Sequence, residues 1–305
     1  TIVHNVHIKD LAKNFPAFFN LDYFKIAQAE VSYRPIATLS YFLIYALFNL
    51  NPLAFHLTSL LLHILNVIGV YVLVDIIRHN KRSSLIAALV FACHPVLTET
   101  VNCISYNEDL LATFFYLLAL VLYIKAGTKE HRSDLPIYFF SFISFLVALL
   151  SKEMAITLPA IIFLYDFTRK ETAKTNGFIK QTFAIIDKQK FYYIGFALVA
   201  IFYLVLRFKI LVNPTGSFSD SRAGLFERIL FLPNHLFDYI QLVLFPLNLN
   251  AEYSFAYPDR FLEFSNLFSV IVVIAITVGS FFIYKRSRGI FFGIWWFIIT
   301  LLLVS

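Results

Sequence analysis

Charged residues are scarce in this sequence, and their scarcity decides what kind of protein it encodes. Only 14% of its 305 residues are Asp, Glu, Lys or Arg, whereas 59% are apolar and 36 are Phe. A soluble fold of this length needs more polar surface than these residues supply, while a lipid-facing helical bundle needs almost none. We therefore predict an all-α fold, a polytopic transmembrane helix bundle.

Motifs for common catalytic and binding sites are also missing. The sequence has no Gly-rich phosphate loop, no zinc-ligand spacing and no nucleophile elbow. Its formal charge of +6 would suit nucleic acid, but most of the cations lie in loops beside apolar runs, where they set membrane topology. We therefore expect no nucleic-acid partner and assign no metal site.

The sequence has only two cysteines, Cys93 and Cys103, which flank one loop. They could form a disulfide in an oxidising compartment. We favour the alternative of two buried thiols, because free cysteine is among the most buried residue types.

Cations are grouped in four short clusters that separate the apolar runs. The clusters hold most of the 25 Lys and Arg residues but few of the 19 Asp and Glu residues. By the positive-inside rule the clusters are cytoplasmic, and the acid-rich loops face the periplasm or an organelle lumen. The clusters lie at 78–82, 125–132, 169–190 and 285–288.

The charge pattern predicts a single membrane module over residues 1–305, truncated at both ends because it begins without Met and stops inside an apolar run. Its parts are an external juxtamembrane segment (1–53), membrane spans (54–211), a long external loop (212–265) and further spans (266–305). The individual spans are 54–77, 83–97, 108–124, 135–150, 154–168, 191–211, 266–284 and 290 onward.

Two further apolar runs, 35–50 and 225–247, have both of their ends on the external side of the membrane in the predicted topology. We therefore expect external juxtamembrane, surface or re-entrant helices there. Pro233 and Pro246 are expected to break the second run, because proline removes a helical hydrogen bond.

One external loop, from His94 to Asp109, brings three carboxylates to the membrane surface. Ser105 and Glu108 match the capping-box spacing, which predicts that Glu108 mainly caps its helix. Asp109 in the first turn also suits the helix dipole, so its acidity alone is weak evidence for function.

Two cations, Arg34 and Lys152, are predicted at helix N-termini, where the dipole already favours an anion. Either each pairs with a neighbouring acid, Glu30 or Glu153, or the two bind a phosphate. Arg207 comes late in a span that runs outward, where a cation is favourable with the helix dipole, so its position is weaker evidence for phosphate binding.

A polar stripe, His56, Ser59, His63 and Asn66, follows one face of the span 54–77. The two histidines are roughly 10 Å apart along a helix, too far to share one metal ion. We favour hydrogen bonds between helices as the role of this stripe.

Several strings in one order resemble a known family. They are Tyr33-Arg34-Pro35-Ile36, Pro52 to His63, His94 to Glu99, Glu108 to Ala112, Ser151-Lys152-Glu153 and Leu164-Tyr165-Asp166. The series resembles the membrane module of the transmembrane and TPR-repeat O-mannosyltransferases and their prokaryotic relatives, a GT-C class of glycosyltransferases that use lipid-phosphate sugars.

The resemblance implies transfer of a mannose-like hexose from a polyprenyl or dolichyl phosphate to a protein or glycan hydroxyl, with inversion, at the external membrane face. The membrane would be a prokaryotic cytoplasmic membrane or the endoplasmic reticulum. Asp109 and Glu99 would be catalytic, with the main acid expected upstream of Thr1. Arg34, Lys152 and Arg207 would bind the donor phosphate, with His94, Glu153 and Glu108 in support.

The family often has a basic residue and Ala where Asn107 and Glu108 stand, so the resemblance supports Asp109 more than Glu108. Other functions stay open at this point. A lipid flippase or transporter would also need intramembrane charges, although we find no duplicated halves. A non-catalytic anchor for TPR repeats is the third possibility.

The charge asymmetry predicts which loops an impermeant thiol reagent reaches in intact cells, when single cysteines are placed on a cysteine-free background. External positions should label and cytoplasmic positions should be protected. Labelling of position 180 from outside, with protection of position 220, would contradict the threading. The cytoplasmic set is Arg78, Lys129, Lys180 and Arg286, and the external set is His94, Lys152, Asp220 and Asp259.

Overall fold

The computed structural model describes residues 34–127, 135–169, 178–210, 225–247, 249–250 and 264–302. Within these ranges the protein consists of eleven α-helices and short 3-10 turns, with no strand. The predicted all-α fold is therefore confirmed.

The helices follow one another in this order. They are α1 (Pro35–Phe48), α2 (Pro52–Arg78), α3 (Lys81–Cys93), α4 (Thr98–Asn102), α5 (Asn107–Ala126), α6 (Leu135–Ser151), α7 (Leu158–Thr168), α8 (Phe178–Ile210), α9 (Leu225–Leu244), α10 (Phe264–Tyr284) and α11 (Arg288–Leu301). The 3-10 turns are Pro95–Leu97, Ile104–Tyr106 and Glu153–Thr157.

Several helices are long and apolar enough to cross a membrane. In the described part of the chain there are 4, or up to 5 if α3 and the segment Pro95–Asn102, bent by 49°, form one broken span. This finding agrees with a polytopic bundle. The four are Pro52–Arg78, Ile104–Ala126, Ile179–Lys209 and Asn266–Tyr284.

Two helix boundaries differ from those expected. α8 begins at Phe178, well before the predicted span at 191, because the intervening lysines are good helix formers that lower hydropathy without ending a helix. α9 continues through Pro233 and ends before Pro246. Contacts with α10 hold α9 together across Pro233. Asn234 donates a 2.5 Å hydrogen bond to Asn266, and the ring of Phe237 lies against that of Phe268.

Contacts divide the chain into two compact units. The described residues of 1–156 and 194–220 form the first unit, and those of 157–193 and 221–305 form the second. The helix α8 begins in the second unit and ends in the first.

The core of the first unit is an antiparallel pair, α5 and α6. Its register is fixed by Ser141, whose hydroxyl donates to the carbonyl of Ala119 at 2.7 Å, and by the edge-to-face rings of Tyr123 and Tyr138. Phe196 of α8 is fully buried against this pair. The N-terminus of α5 and the C-terminus of α6 therefore meet at one end of the unit.

The polar stripe on α2 mostly faces other helices. His63 bonds the carbonyl of Ala92 at 3.2 Å, and Asn66 donates to the carbonyl of Leu110 at 3.0 Å. Interhelical hydrogen bonding is thus confirmed for these two residues. His56 is exposed near the start of α2.

The two cysteines do not behave as expected. Both are free, but Cys93 is exposed and Cys103 is partly exposed. The prediction of two buried thiols is therefore wrong, because Cys93 is the last residue of α3 and Cys103 follows α4, beyond the packed parts of both helices.

Close packing on α8 predicts that a side chain at Gly195 would force the ring of Phe142 to move. A Cβ at this position would lie 2.6 Å from Cζ of Phe142, whose ring packs on Phe196. Gly195→Ala should lower the free energy of unfolding by about 1–3 kcal/mol through overpacking. Thermal unfolding in detergent measures this change. Gly279→Ala is the matched control, since nothing lies within 4 Å of its Cβ, and equal stability of the two variants would contradict the packing argument.

Candidate functional site

Six charged side chains of the first unit form one network in which cations and carboxylates alternate. Its members come from the start of α1, the start of α5, the junction after α6, and the end of α8. Three positive and three negative charges make the network neutral. In order along the contacts they are Asp109, Lys152, Glu108, Arg34, Glu153 and Arg207.

Arg34 lies at the centre of this network. It immediately precedes α1, and its carbonyl accepts a 3.1 Å bond from the N–H of Thr38, so the guanidinium lies at a helix N-terminus as predicted. Nη1 donates to Glu108, while Nε and Nη2 each donate at 3.2 Å to a different oxygen of Glu153. The two carboxylates offset the unfavourable dipole at this position.

Lys152 lies at the C-terminus of α6 and not at a helix N-terminus, where the sequence predicted it. Its N–H donates to the carbonyl of Ala148 at 2.9 Å, so Lys152 closes the C-terminus of α6, where the dipole favours a cation. Nζ lies 2.6 Å from Asp109 and 3.8 Å from Glu108. Its partners are therefore these two acids, whereas the sequence-adjacent Glu153 pairs with arginines.

Arg207 belongs to the network, although its position in the sequence was only weak evidence for a role in the site. Its Nη1 lies 3.5 Å from Glu153 and donates at 3.1 Å to the hydroxyl of Tyr203, one turn earlier on α8. Sequence reasoning missed Tyr203, which the spacing of four residues to a buried arginine could have indicated.

Glu108 does not cap its helix, so the capping-box prediction is wrong. α5 begins at Asn107, and no side chain caps it. Tyr41 donates to the carbonyls of Ile104 and Ser105 at 2.9 and 3.2 Å, which holds these residues in a 3-10 turn ahead of the helix. Ser105 is thereby displaced from the cap position, and Glu108 is available to contact Arg34 and Lys152.

The remaining predicted site residues lie outside the network. The carboxylate of Glu99 is beside the phenol of Tyr106, which also lies near Asp109. Nδ1 of His94 accepts a 3.3 Å bond from the N–H of Val96 and caps a 3-10 turn. Glu30, the expected partner of Arg34, is outside the described residues.

Pairing decides the protonation of Glu153 and Arg34, whereas at Glu108 burial outweighs the contacts with Arg34 and Lys152 and raises the pKa of the carboxyl. Burial alone would raise the pKa of Glu153, but the hydrogen bond and the charge of Arg34 outweigh burial and hold this pKa below its ordinary value. Burial alone would lower the pKa of Arg34, yet the hydrogen bonds of Glu153 and Glu108 raise it instead. Both groups are therefore charged at neutral pH.

The chemistry available here is electrostatic. Two guanidinium groups and one ammonium group converge at one end of an apolar bundle, which suits recognition of a phosphate. In the described part of the chain, no cluster of three His, Cys, Asp or Glu side chains could hold a metal ion. Because every cation of the network contacts a carboxylate, an added anion must exchange with one of them.

Comparison with known proteins agrees with this chemistry. The family model described as dolichyl-phosphate-mannose-protein mannosyltransferase matches residues 35–205. Mouse protein O-mannosyl-transferase TMTC3 is 34% identical over 165 residues, which are 52% of this chain and 18% of that protein. Human TMTC2, also called a protein O-mannosyl-transferase, is 35% identical over 162 residues, 52% of this chain and 19% of that protein.

A nematode relative is aligned over a longer stretch. Protein O-mannosyl-transferase F38B6.6 of Caenorhabditis elegans is 27% identical over 234 residues, 75% of this chain and 31% of that protein. The aligned segments thus cover less than a third of these relatives. No solved structure is significantly similar to the chain.

The contacts of Glu108 predict a large effect of removing its charge. Only 15% of this side chain is exposed, and it contacts both Arg34 and Lys152. Glu108→Gln should therefore lower the free energy of unfolding by about 1–3 kcal/mol, measured by thermal unfolding in detergent. Asp187→Asn, which removes an exposed ion pair with Lys190, is the control and should change it by less than about 0.5 kcal/mol. An equal decrease in the free energy of unfolding in both variants would show that the ion pairs of the network stabilise the protein no more than an exposed ion pair does.

Proposed function

Because this chain belongs to the dolichyl-phosphate-mannose-protein mannosyltransferase family, we propose that it is the membrane part of an enzyme that transfers mannose from a lipid phosphate. The donor is dolichyl or polyprenyl phosphate mannose, and the acceptor is a hydroxyl group on a protein or a glycan. The matched region, residues 35–205, contains Glu108, Asp109, Lys152 and Glu153.

The observation that carries this proposal is the convergence of Arg34, Lys152 and Arg207 at one end of the apolar bundle. Cleavage of the sugar–phosphate bond leaves negative charge on the departing phosphate, and fixed cations stabilise that charge. The planar fork of Arg34 matches two phosphate oxygens as well as it matches the two oxygens of Glu153. We assign the phosphate to these three cations.

A carboxylate must take the proton of the acceptor hydroxyl. Among the described residues of the network, Asp109 is the candidate, since it lies at the end of the chain of contacts and is the most exposed of its acids, at 33%. Glu99 lies beside the phenol of Tyr106, which is also near Asp109, and we assign it a supporting role. Attack by the hydroxyl from the face opposite to the phosphate inverts the sugar.

The membrane accounts for the rest of the arrangement. An amphiphilic donor keeps its isoprenoid tail in the bilayer while its phosphate reaches the network at the ends of α5 and α6. The positive-inside pattern predicts that these ends lie at the external face, and we propose a prokaryotic cytoplasmic membrane or the endoplasmic reticulum. The single-module organisation proposed from the sequence accommodates this arrangement.

The phosphate assignment predicts the behaviour of two alanine variants. In the purified full-length protein, Arg34→Ala and Lys152→Ala should each weaken binding of dolichyl phosphate mannose about ten-fold to a hundred-fold, since a charge-assisted contact is worth roughly 1.5–3 kcal/mol. Arg34→Lys should restore binding only in part, because an ammonium cannot hold two oxygens.

A donor titration on folded protein measures these affinities, with Asp187→Asn as the control. Mannose transfer by wild type should be demonstrated in the same preparation. Unchanged donor affinity in both alanine variants would contradict the assignment, and it would leave the six charges as structural ion pairs.

A further inference from the structure

We propose that Glu153 is a displaceable carboxylate, which holds Arg34 and Arg207 when no donor is bound and which the donor phosphate replaces. The inference rests on the proposed function and assigns Glu153 a positioning role within the same site. It is carried by the geometry, the exposure and the backbone of this one residue.

The contacts of Glu153 are those that a phosphate would make. Its two oxygens accept from Nε and Nη2 of Arg34 at 3.2 Å, in the parallel fork that arginine forms with carboxylates and phosphates alike. One of the same oxygens lies 3.5 Å from Arg207. Glu153 thus spans the two guanidinium groups, and a phosphodiester with two non-bridging oxygens fits the same two donors.

Glu153 is also the acid of Arg34 that can leave most easily. Its side chain is 31% exposed, whereas that of Glu108 is 15% exposed. Glu108 projects from the first turn of a long α-helix, while Glu153 begins the 3-10 turn between α6 and α7. A 3-10 turn has weaker hydrogen-bond geometry than an α-helix, so the Glu153 backbone adjusts at lower cost.

The exchange also conserves charge. A sugar phosphodiester carries one negative charge, as Glu153 does, so replacing one by the other leaves the network neutral. The displaced carboxylate stays ionised and moves to the side where it is already in contact with solvent. Neither an unpaired buried arginine nor an unpaired buried carboxylate is created, and the large desolvation penalty of such a group is avoided.

Return of Glu153 has a consequence for product release. Transfer leaves a lipid phosphomonoester, which carries more negative charge than the diester and binds cations more tightly. A carboxylate that competes for the same two arginines lowers the affinity for this product. Without this competitor, the product should remain bound longer, and turnover should slow.

Titration of dolichyl phosphate into the purified full-length protein tests the inference. Glu153→Gln should bind it about two-fold to five-fold more tightly than wild type, the factor expected for removing a partly exposed competing ion pair. The KM for dolichyl phosphate mannose and kcat should both fall. Glu153→Ala should also bind dolichyl phosphate more tightly than wild type, and it replaces Glu153→Gln in the experiment if the glutamine variant does not fold. Arg34→Ala should bind less tightly than wild type.

The matched control is Glu108→Gln, which removes the same charge from the same network but not from the displaceable position. It should not tighten binding, since Glu108 holds Arg34 and Lys152 in place. Equal tightening in Glu108→Gln and Glu153→Gln would reveal a general charge effect and overturn the inference. Weaker or unchanged binding in Glu153→Gln, with Arg34→Ala also weakened, would overturn it and leave the proposed function intact. An affinity of Arg34→Ala for dolichyl phosphate equal to that of wild type would contradict the assignment of the phosphate site itself.

Discussion

The paired contact of Arg34 with Glu108 and Glu153 is the interaction on which the rest of the site depends. A guanidinium at a helix N-terminus and away from water is unfavourable unless carboxylates surround it. These two acids join the start of α1 to the start of α5 and to the turn after α6. Glu153 extends the contact to Arg207 at the end of α8, so ion pairs join four separate segments of the chain.

The network is neutral as a whole. Because three cations alternate with three acids, no surplus positive charge attracts any passing anion. In the function proposed above, a ligand must offer the geometry of the carboxylate that it replaces, and a phosphodiester would do so with its two non-bridging oxygens. The same arrangement keeps the network stable in the absence of ligand, since every described charge in it has a partner of opposite sign.

Two sequence interpretations failed for related reasons. The capping box at Ser105 and Glu108 is a local signal, but Tyr41 binds the preceding carbonyls and moves the start of α5. Pro233 is a local breaker, but Asn266 and Phe268 on α10 hold α9 together across it. Contacts from residues distant in the chain outweighed short-range preferences of about 1–3 kcal/mol in both places.

The sequence by itself determined the all-α membrane class and the family, and it singled out Arg34 and Lys152 as candidate site residues, because hydropathy, charge clusters and motif strings are read along the chain. Only the tertiary structure decided the partners. Arg34 and Glu153 are 119 residues apart, Arg34 and Glu108 are 74 apart, and Lys152 and Asp109 are 43 apart. No local pattern encodes which acid meets which cation, since pairing depends on how α1, α5, α6 and α8 pack, and that packing is a property of the whole unit.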